Sequence, residues 1–354
     1  MSDSSEPQNN FSFDSLKSSS CDDKQRAETC FHHFCHSSDG LNYESFAELL
    51  ERLFVDSEGT PYHIPLKWKR DWFALFDINH NEIIEWKEFE IMWNQWIKTI
   101  LEPKSALIIV DVQNDFISGS LAINQCPAQH NGEDVIPVIN KLIESVPFDK
   151  VIYTQDWHPE DHISFFNNKN RRKFKSIDME SETRVENETK LYDTVIFEGP
   201  PQMKQKLWPT HCVQQSWGSE IHCDLKIKDN SIRILKGTQS HIDSYSAFWD
   251  NQRLSQTDLN QQLTALAITD VYFCGIATDV CVGYSAIDAI ECGYRTVVVE
   301  NASRGLSLED IDRIKQILIE SKAVFIDSSQ VLDMVTGADR RPELAFSQTL
   351  KELN

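Results

Sequence analysis

A chain of 354 residues, 40% hydrophobic and 25% charged, is long enough for two domains with adequate cores, and this composition rules out collagen, coiled coil or wholesale disorder. A formal net charge of −21 argues against a nucleic-acid partner, because phosphate contacts need clustered Lys and Arg. Nine cysteines in no paired framework fit reduced thiols, and MSDSSEPQNNFSFDSLKSSS reads as neither leader nor membrane anchor. The expectation is an intracellular protein of the cytoplasm, nucleus included, with no membrane contact.

Residues 1–24 are rich in Ser, Asp and Asn with few large apolar side chains, which predicts a flexible tail. Over 25–100, apolar and aromatic residues recur at three- and four-residue spacing in FAELLERLF and WKEFEIMWNQWIKTI, which predicts an all-helical domain. Between two of its helices, DINHNEIIEWKEFE resembles an EF-hand calcium loop. Asp77, Asn79 and Asn81 take positions one, three and five, Ile83 offers a carbonyl, and Glu88 takes position twelve. Glu82 stands where glycine usually supplies a positive φ, at a cost on the order of 1 kcal/mol. An upstream counterpart, SSDGLNYESFAELL, has Ser45 where the bidentate carboxylate belongs and reads as a metal-free hand. Calcium at residues 77–88 and a purely structural pair of hands both stay open.

At Pro103 the pattern changes. ALIIVDV, KVIYTQD, IRILK, DVYFCGI, RTVVVE and AVFID are short β-rich runs, separated by helical stretches such as DVIPVINKLIESV and LEDIDRIKQILIE. That alternation builds βαβ units, so 103–354 is expected to form a three-layer, doubly wound parallel sheet. The charged, aperiodic stretch over 167–206 reads as a surface insertion, open to a regulatory or assembly role but of the kind that is more often simply tolerated.

Functional groups in open α/β sheets gather at the carboxyl ends of strands. Asp111 and Asp115 end the first run, Asp156, His158 and His162 the second, Lys236 the third, and FCGI leads to Cys281. Cys281 falls in the opening turn of a predicted helix, where backbone amides and the helix dipole favour a thiolate and can hold an oxyanion. Taken alone, a cysteine is more often a small buried hydrophobe. Lys236 can lower the thiol pKa and Asp111 can accept the proton, although each also has an ordinary reading as a snorkelled cation or a loop cap. Asp156 and His158 alternate along an extended segment and can converge on one point, with His211 of LWPTHCV as third donor. Two histidines and a carboxylate leave coordination sites open, as a catalytic metal requires. A hydrogen-bonded structural histidine is the plain alternative for His162 and His211.

The succession VDVQNDF, DWHPEDHISF, LWPTHCVQQSWGSE, KGTQSHIDSYSAF and GIATDVCVGYSA, spread in order over 104–329, resembles the nicotinamidase branch of the isochorismatase-like cysteine hydrolases. The resemblance implies an isochorismatase-like, Rossmann-like fold and the hydrolysis of nicotinamide to nicotinic acid and ammonia through a thioester, for NAD salvage. It puts the base at Asp111, the supporting lysine at Lys236, the nucleophile at Cys281 and the oxyanion amides at Ala277 and Cys281. Phe116 and Trp208 fall around the pyridine ring, and Asp156, His158 and His211 on the metal. His162 falls at a position that is a ligand or near-ligand in some members, and a cis peptide is expected between Ile276 and Ala277. The expected metal is zinc, with iron or manganese open, and nicotinamide is the implied partner, with a homo-oligomer also open. As a whole the chain is similar to animal nicotinamidases with an EF-hand-like domain in front. Two readings compete: hydrolysis of another small amide, and a calcium-responsive scaffold with an inactive hydrolase domain. Intact triad and metal positions weigh against the scaffold.

Overall fold

The computed structural model describes residues 11–17, 22–36, 39–176, 189–199 and 202–353. It divides into two compact units, 1–103 with 333–354, and 104–332, so the final stretch of the domain expected over 103–354 groups with the helical unit.

In the first unit, α1 (Phe13–Lys17) buries Phe13 and Leu16, so this part of the expected tail is packed into a core; positions 1–10 and 18–21 lie outside the described residues. The helices α2 (Asp23–Phe34) and α3 (Tyr43–Leu53) flank one loop, and α4 (Leu66–Phe76) and α5 (Trp86–Met92) flank another. Asp22 accepts from the Gln25 N–H and Asn42 from the Ser45 N–H, which satisfies amides that a helix start leaves unpaired. The two loops are joined by an antiparallel bridge between Leu41 and Ile84, whose N–H groups donate across it at 3.0 and 2.8 Å. A π-helical turn, Trp93–Ile97, then leads into α6 (Lys98–Leu101). Phe46, Phe54, Trp72, Phe89, Trp93 and Trp96 share one core, where each buried phenylalanine is worth roughly 1.5–3 kcal/mol relative to exposure.

The second unit is built around β1 (Ser105–Val110), β2 (Lys150–Asp156), β6 (Ile232–Lys236), β7 (Asp270–Ile276), β8 (Arg295–Arg304) and β9 (Val324–Ile326). Among the described residues they form one parallel sheet in the order β6-β2-β1-β7-β8-β9. All six residues of β1 are buried, as a sheet covered on both faces requires. Ala106, Ile108 and Val110 enter a core with Leu259 and Leu263 of α9 (Leu259–Ala265), Ala286 and Ala289 of α10 (Gly283–Cys292), and Ile314 and Leu318 of α11 (Leu308–Glu320). Leu107 and Ile109 alternate to the opposite face, the side of α8 (Val135–Ser145), which follows the short α7 (Asn114–Ile117) and buries Ile136, Ile139 and Ile143. Gly275 sits at φ +113, and a Cβ there would lie 2.1 Å from the Val110 carbonyl oxygen, so only glycine lets β7 approach β1 this closely.

Within the expected insertion, β3 (Phe174–Ser176), β4 (Thr194–Phe197) and β5 (Met203–Lys206) make a separate antiparallel sheet; residues 177–188 and 200–201 lie outside the described residues. The chain closes with α12 (Val331–Val335) and α13 (Pro342–Leu353). In the first unit, Phe346 of α13 stacks on Trp68 with ring centroids 4.3 Å apart. No helix among the described residues is long and apolar enough to cross a membrane.

Candidate active site

The chain leaves β1 for β2 on one side, whereas β7 adds to the other side of β1, so the crevice at their carboxyl ends is a topological switch point. Four chemically active side chains meet there. β2 and β6 are in register so that Asp156 lies opposite Lys236. The fully buried Lys236 Nζ is 3.0 Å from Asp111 Oδ2, 3.2 Å from Cys281 Sγ and 3.1 Å from the Ser244 carbonyl, and it also donates to Asp156 Oδ1. A buried ammonium is tolerable only with such partners. Asp111 follows β1 in left-handed backbone, φ +48, and its Oδ1 accepts from Thr154 Oγ1 at 2.5 Å. The Oδ2 contact with Lys236 is an ion pair without an aligned hydrogen bond, which leaves Oδ2 a free lone pair beside the thiol. Cys281 lies in the π-helical turn Thr278–Val282, which runs directly into α10. That turn opens at Ala277, after the cis Ile276–Ala277 peptide bond.

Burial raises the pKa of Asp111, opposed by Lys236 and reinforced by Asp156. Burial also pushes the Cys281 thiol well up; Lys236 works against that shift and Asp111 with it. Lys236 stays firmly charged: burial disfavours its charge, but Asp111 and then Asp156 raise its pKa well above the ordinary lysine value. The Cys281 thiol thus lies beside Asp111, with the charged Lys236 in contact with both.

Asp156 Oδ2 lies 3.6 Å from His158 Nε2 and 3.7 Å from His211 Nε2. The Nδ1 of His158 meets the Gly237 carbonyl at 2.8 Å, and that of His211 meets the Pro209 carbonyl at 2.8 Å. A proton on each Nδ1 leaves both Nε2 lone pairs to a cation shared with the carboxylate; burial works against charge on His158, but Asp156 outweighs it and raises the His158 pKa. Donors about 2.1 Å from a shared tetrahedral cation stand roughly 3.4 Å apart, so the set fits a zinc-sized ion. Gly237 leaves room for this arrangement, since a Cβ there would lie 2.3 Å from the His158 ring. Burial works against the Asp156 charge, yet Lys236 and then His158 hold its carboxyl well below the usual range. His162 stands behind this set: it stacks on His158 at 4.0 Å, with Nδ1 2.7 Å from Ser164 Oγ and Nε2 3.2 Å from the Ile242 carbonyl.

Phe116, Trp208, Tyr245, Ile276, Val280 and Leu306 give the pocket its apolar walls. Sequence reasoning missed what holds the donors in place. Gln113 clamps the Asp156 backbone, accepting its N–H at 2.8 Å and donating to its carbonyl at 2.8 Å. Asp115 Oδ2 accepts the Cys212 N–H at 2.7 Å and so fixes the residue after His211, where the chain takes φ +46. The available signal was QND directly after an apolar strand: polar residues in a buried turn need partners.

The other expected site lies in the first unit. Asp77 accepts from the N–H groups of Asn81 at 3.1 Å and Glu82 at 3.0 Å; Asn79 accepts from Asn81 at 3.0 Å, and Asn81 from Ile83 at 2.9 Å. Glu88 accepts from Ile78 at 2.9 Å, Asn79 at 3.1 Å and Glu85 at 2.9 Å. Glu82 takes the positive φ, +65, usually left to glycine. The loop's own amides thus engage its carboxylates.

The family model of the isochorismatase domain matches residues 105–327. The nicotinamidase of Acinetobacter baylyi is 35% identical over 229 residues, 64% of this chain and 94% of that protein. Among solved structures, an Acinetobacter baumanii nicotinamidase pyrazinamidease shares 36% identity with a TM-score of 0.54, covering 65% of this chain and 98% of that one. The yeast nicotinamidase bound to the inhibitor nicotinaldehyde shares 30% identity with a TM-score of 0.53, covering 63% and 99%. With the parallel sheet and the switch-point cluster in place, these matches make the chain a member of the isochorismatase-domain family, on its nicotinamidase branch.

Proposed function

We propose that this chain is a nicotinamidase, hydrolysing nicotinamide to nicotinic acid and ammonia by covalent catalysis at Cys281. The observation that carries the reading is the buried contact of Asp111, Lys236 and Cys281, beside three convergent donors and under an aromatic wall. Asp156, His158 and His211 would hold a divalent cation, zinc by the nature and spacing of the donors, and a cation there would supply Lewis-acidic orientation of the pyridine ring. Phe116 and Trp208 flank that ring and keep water out.

Cys281 Sγ attacks the carboxamide carbon while Asp111 Oδ2 takes the thiol proton, and the Lys236 ammonium stabilises the anionic charge on both. The backbone N–H groups of Ala277 and Cys281 receive the oxyanion. Asp111 then returns its proton to the departing nitrogen, the C–N bond breaks, and ammonia leaves a thioester on Cys281. A water molecule, deprotonated by Asp111, adds to the thioester; the C–S bond breaks, nicotinic acid is released for NAD salvage and the thiol is restored. Ammonia release from nicotinamide, compared with simple aliphatic amides, tests the reading. Release confined to nicotinamide and related pyridine carboxamides supports it, and a metal-loaded protein inert toward nicotinamide sinks it.

For the first unit we propose an EF-hand-like pair, on the strength of two helix–loop–helix segments bridged at Leu41 and Ile84. Its second loop serves as a self-capped structural turn, since Glu88 and Asp77 already accept loop amides. Calorimetric titration with calcium should show no saturable heat at micromolar concentrations; micromolar binding that Glu88→Gln abolishes would make the loop a calcium site.

A further inference from the structure

The insertion sheet touches the wall of the active-site pocket at Asp243. Gln205, on β5, is only 4% exposed, and its Nε2 donates to Asp243 Oδ2 at 2.8 Å and to the Lys206 carbonyl at 2.9 Å. Both neighbours are acceptors, so the amide orientation is unambiguous and both of its N–H bonds are used. Asp243 is equally buried and lines the pocket; its Oδ1 accepts the Ser244 N–H at 2.8 Å and stands 4.0 Å from His162 Nε2. His162 in turn lies flat against His158, at 4.0 Å and 21° between rings. A donor atom of each of His158, His162 and Asp243 falls within 4.8 Å of the other two. Gln205 thus holds a carboxylate on the pocket wall close to a pair of stacked imidazoles, one of which faces Asp156.

We infer that Gln205 is a positioning residue for the metal site: by clamping Asp243 close to His162 and His158, it sets how tightly Asp156, His158 and His211 hold a divalent cation. His158 Nδ1 already bonds the Gly237 carbonyl, so an anion fixed near the stacked rings acts on His158 through space, strengthening it as a donor to a cation, while the stacked His162 keeps its ring in place. An unclamped carboxylate turns toward whatever water it can reach and loses that grip. The contact also gives the insertion a task beyond tolerated length, because β5 runs directly into Leu207 and Trp208 and brings Gln205 with it.

This inference rests on the reading of Asp156, His158 and His211 as the cation site, and the experiment separates the two. Zinc affinity of the full chain is measured by competition with a chromophoric chelator for the wild type, Asp156→Asn, Gln205→Leu, Asp243→Asn, and the double variant Gln205→Leu with Asp243→Asn. Gln205→Leu keeps the volume and removes the donor. We expect it to weaken zinc about tenfold, at the low end for such outer partners, and the double variant to bind no more weakly than Asp243→Asn alone. A purely structural role would instead make the two losses multiply. Thermal melts by circular dichroism check folding, and Gln205→Met supplies the same reading should the leucine variant not fold. Zinc affinity within threefold of wild type in the Gln205 variant, or losses that multiply in the double variant, overturns the inference and leaves the cation site standing. A wild-type chain that binds no zinc, or an Asp156→Asn variant that binds it equally well, overturns both.

Discussion

Lys236→Met is the sharpest test of the cluster, because it removes one buried charge that two carboxylates share. At 3.0 Å, and at the effective dielectric of about 20 that suits protein sites, the Lys236–Asp111 attraction alone is on the order of 5–6 kcal/mol before desolvation is subtracted. Asp156 is a second anion on the same ammonium. Methionine fills a similar volume with no charge and leaves both carboxylates facing each other in a buried site. Removing one member of such a buried set costs roughly 3–5 kcal/mol. With a urea slope near 3 kcal/mol per molar, the unfolding midpoint should fall by about 1–2 M. Activity should fall further than stability accounts for, because protonation of Asp111 is the cheapest relief of the repulsion and a protonated Asp111 cannot accept the thiol proton. The assay pairs urea unfolding with ammonia release from nicotinamide at concentrations where the variant is folded. A folded variant with activity within tenfold of wild type, or an unchanged midpoint, would refute the account of Lys236 as the shared counter-ion.

Three further outcomes are expected. Cys281→Ala should lose turnover by on the order of 10³-fold or more while its melting curve stays close to wild type, since Sγ lies beside the Lys236–Asp111 ion pair and alanine leaves that pair intact; residual turnover near wild type would take the thiol out of the chemistry. Dialysis against a strong chelator should suppress ammonia release and added zinc should restore it, whereas Asp156→Asn should stay inactive at any zinc concentration; full activity after verified stripping would count against the three-donor site. Trp208→Leu should raise KM for nicotinamide about tenfold with a smaller change in kcat, because the side chain forms pocket wall and touches no reacting atom; an unchanged KM would remove it from the ring site.

The parallel sheet was legible because its strands are near-continuous apolar runs, and β1 is buried along its whole length for the reason that pattern implies. The meeting of Asp111, Lys236 and Cys281 was legible because each stands where a strand or its following turn must surface among helices. What could not be read was anything depending on pairing across large sequence distances. Gln113 grips Asp156 and Asp115 grips Cys212 through contacts no local pattern encodes. The insertion looked tolerated because its charge run hides Gln205, set between Lys204 and Lys206, which reaches Asp243. In the first unit the tail reading failed at Phe13 and Leu16: two apolar side chains at helical spacing are enough to dock one turn of helix on a core rich in tryptophan.

Asp156 joins the two halves of the site. One of its oxygens meets Lys236 and the other faces His158 and His211, so one carboxylate belongs to the charge balance of the thiol and to the donor set at once. Two carboxylates against one ammonium leave the buried cluster short of positive charge, and a divalent cation on the histidine side is the complement its chemistry calls for. With Asp156 neutralised from that side, more of the Lys236 field is left for Asp111 and Cys281, between which the proposed mechanism moves the proton. Separate elements for binding the ring and for activating sulfur would not couple in this way. The coupling follows from the register that sets the last residue of β2 beside the last residue of β6.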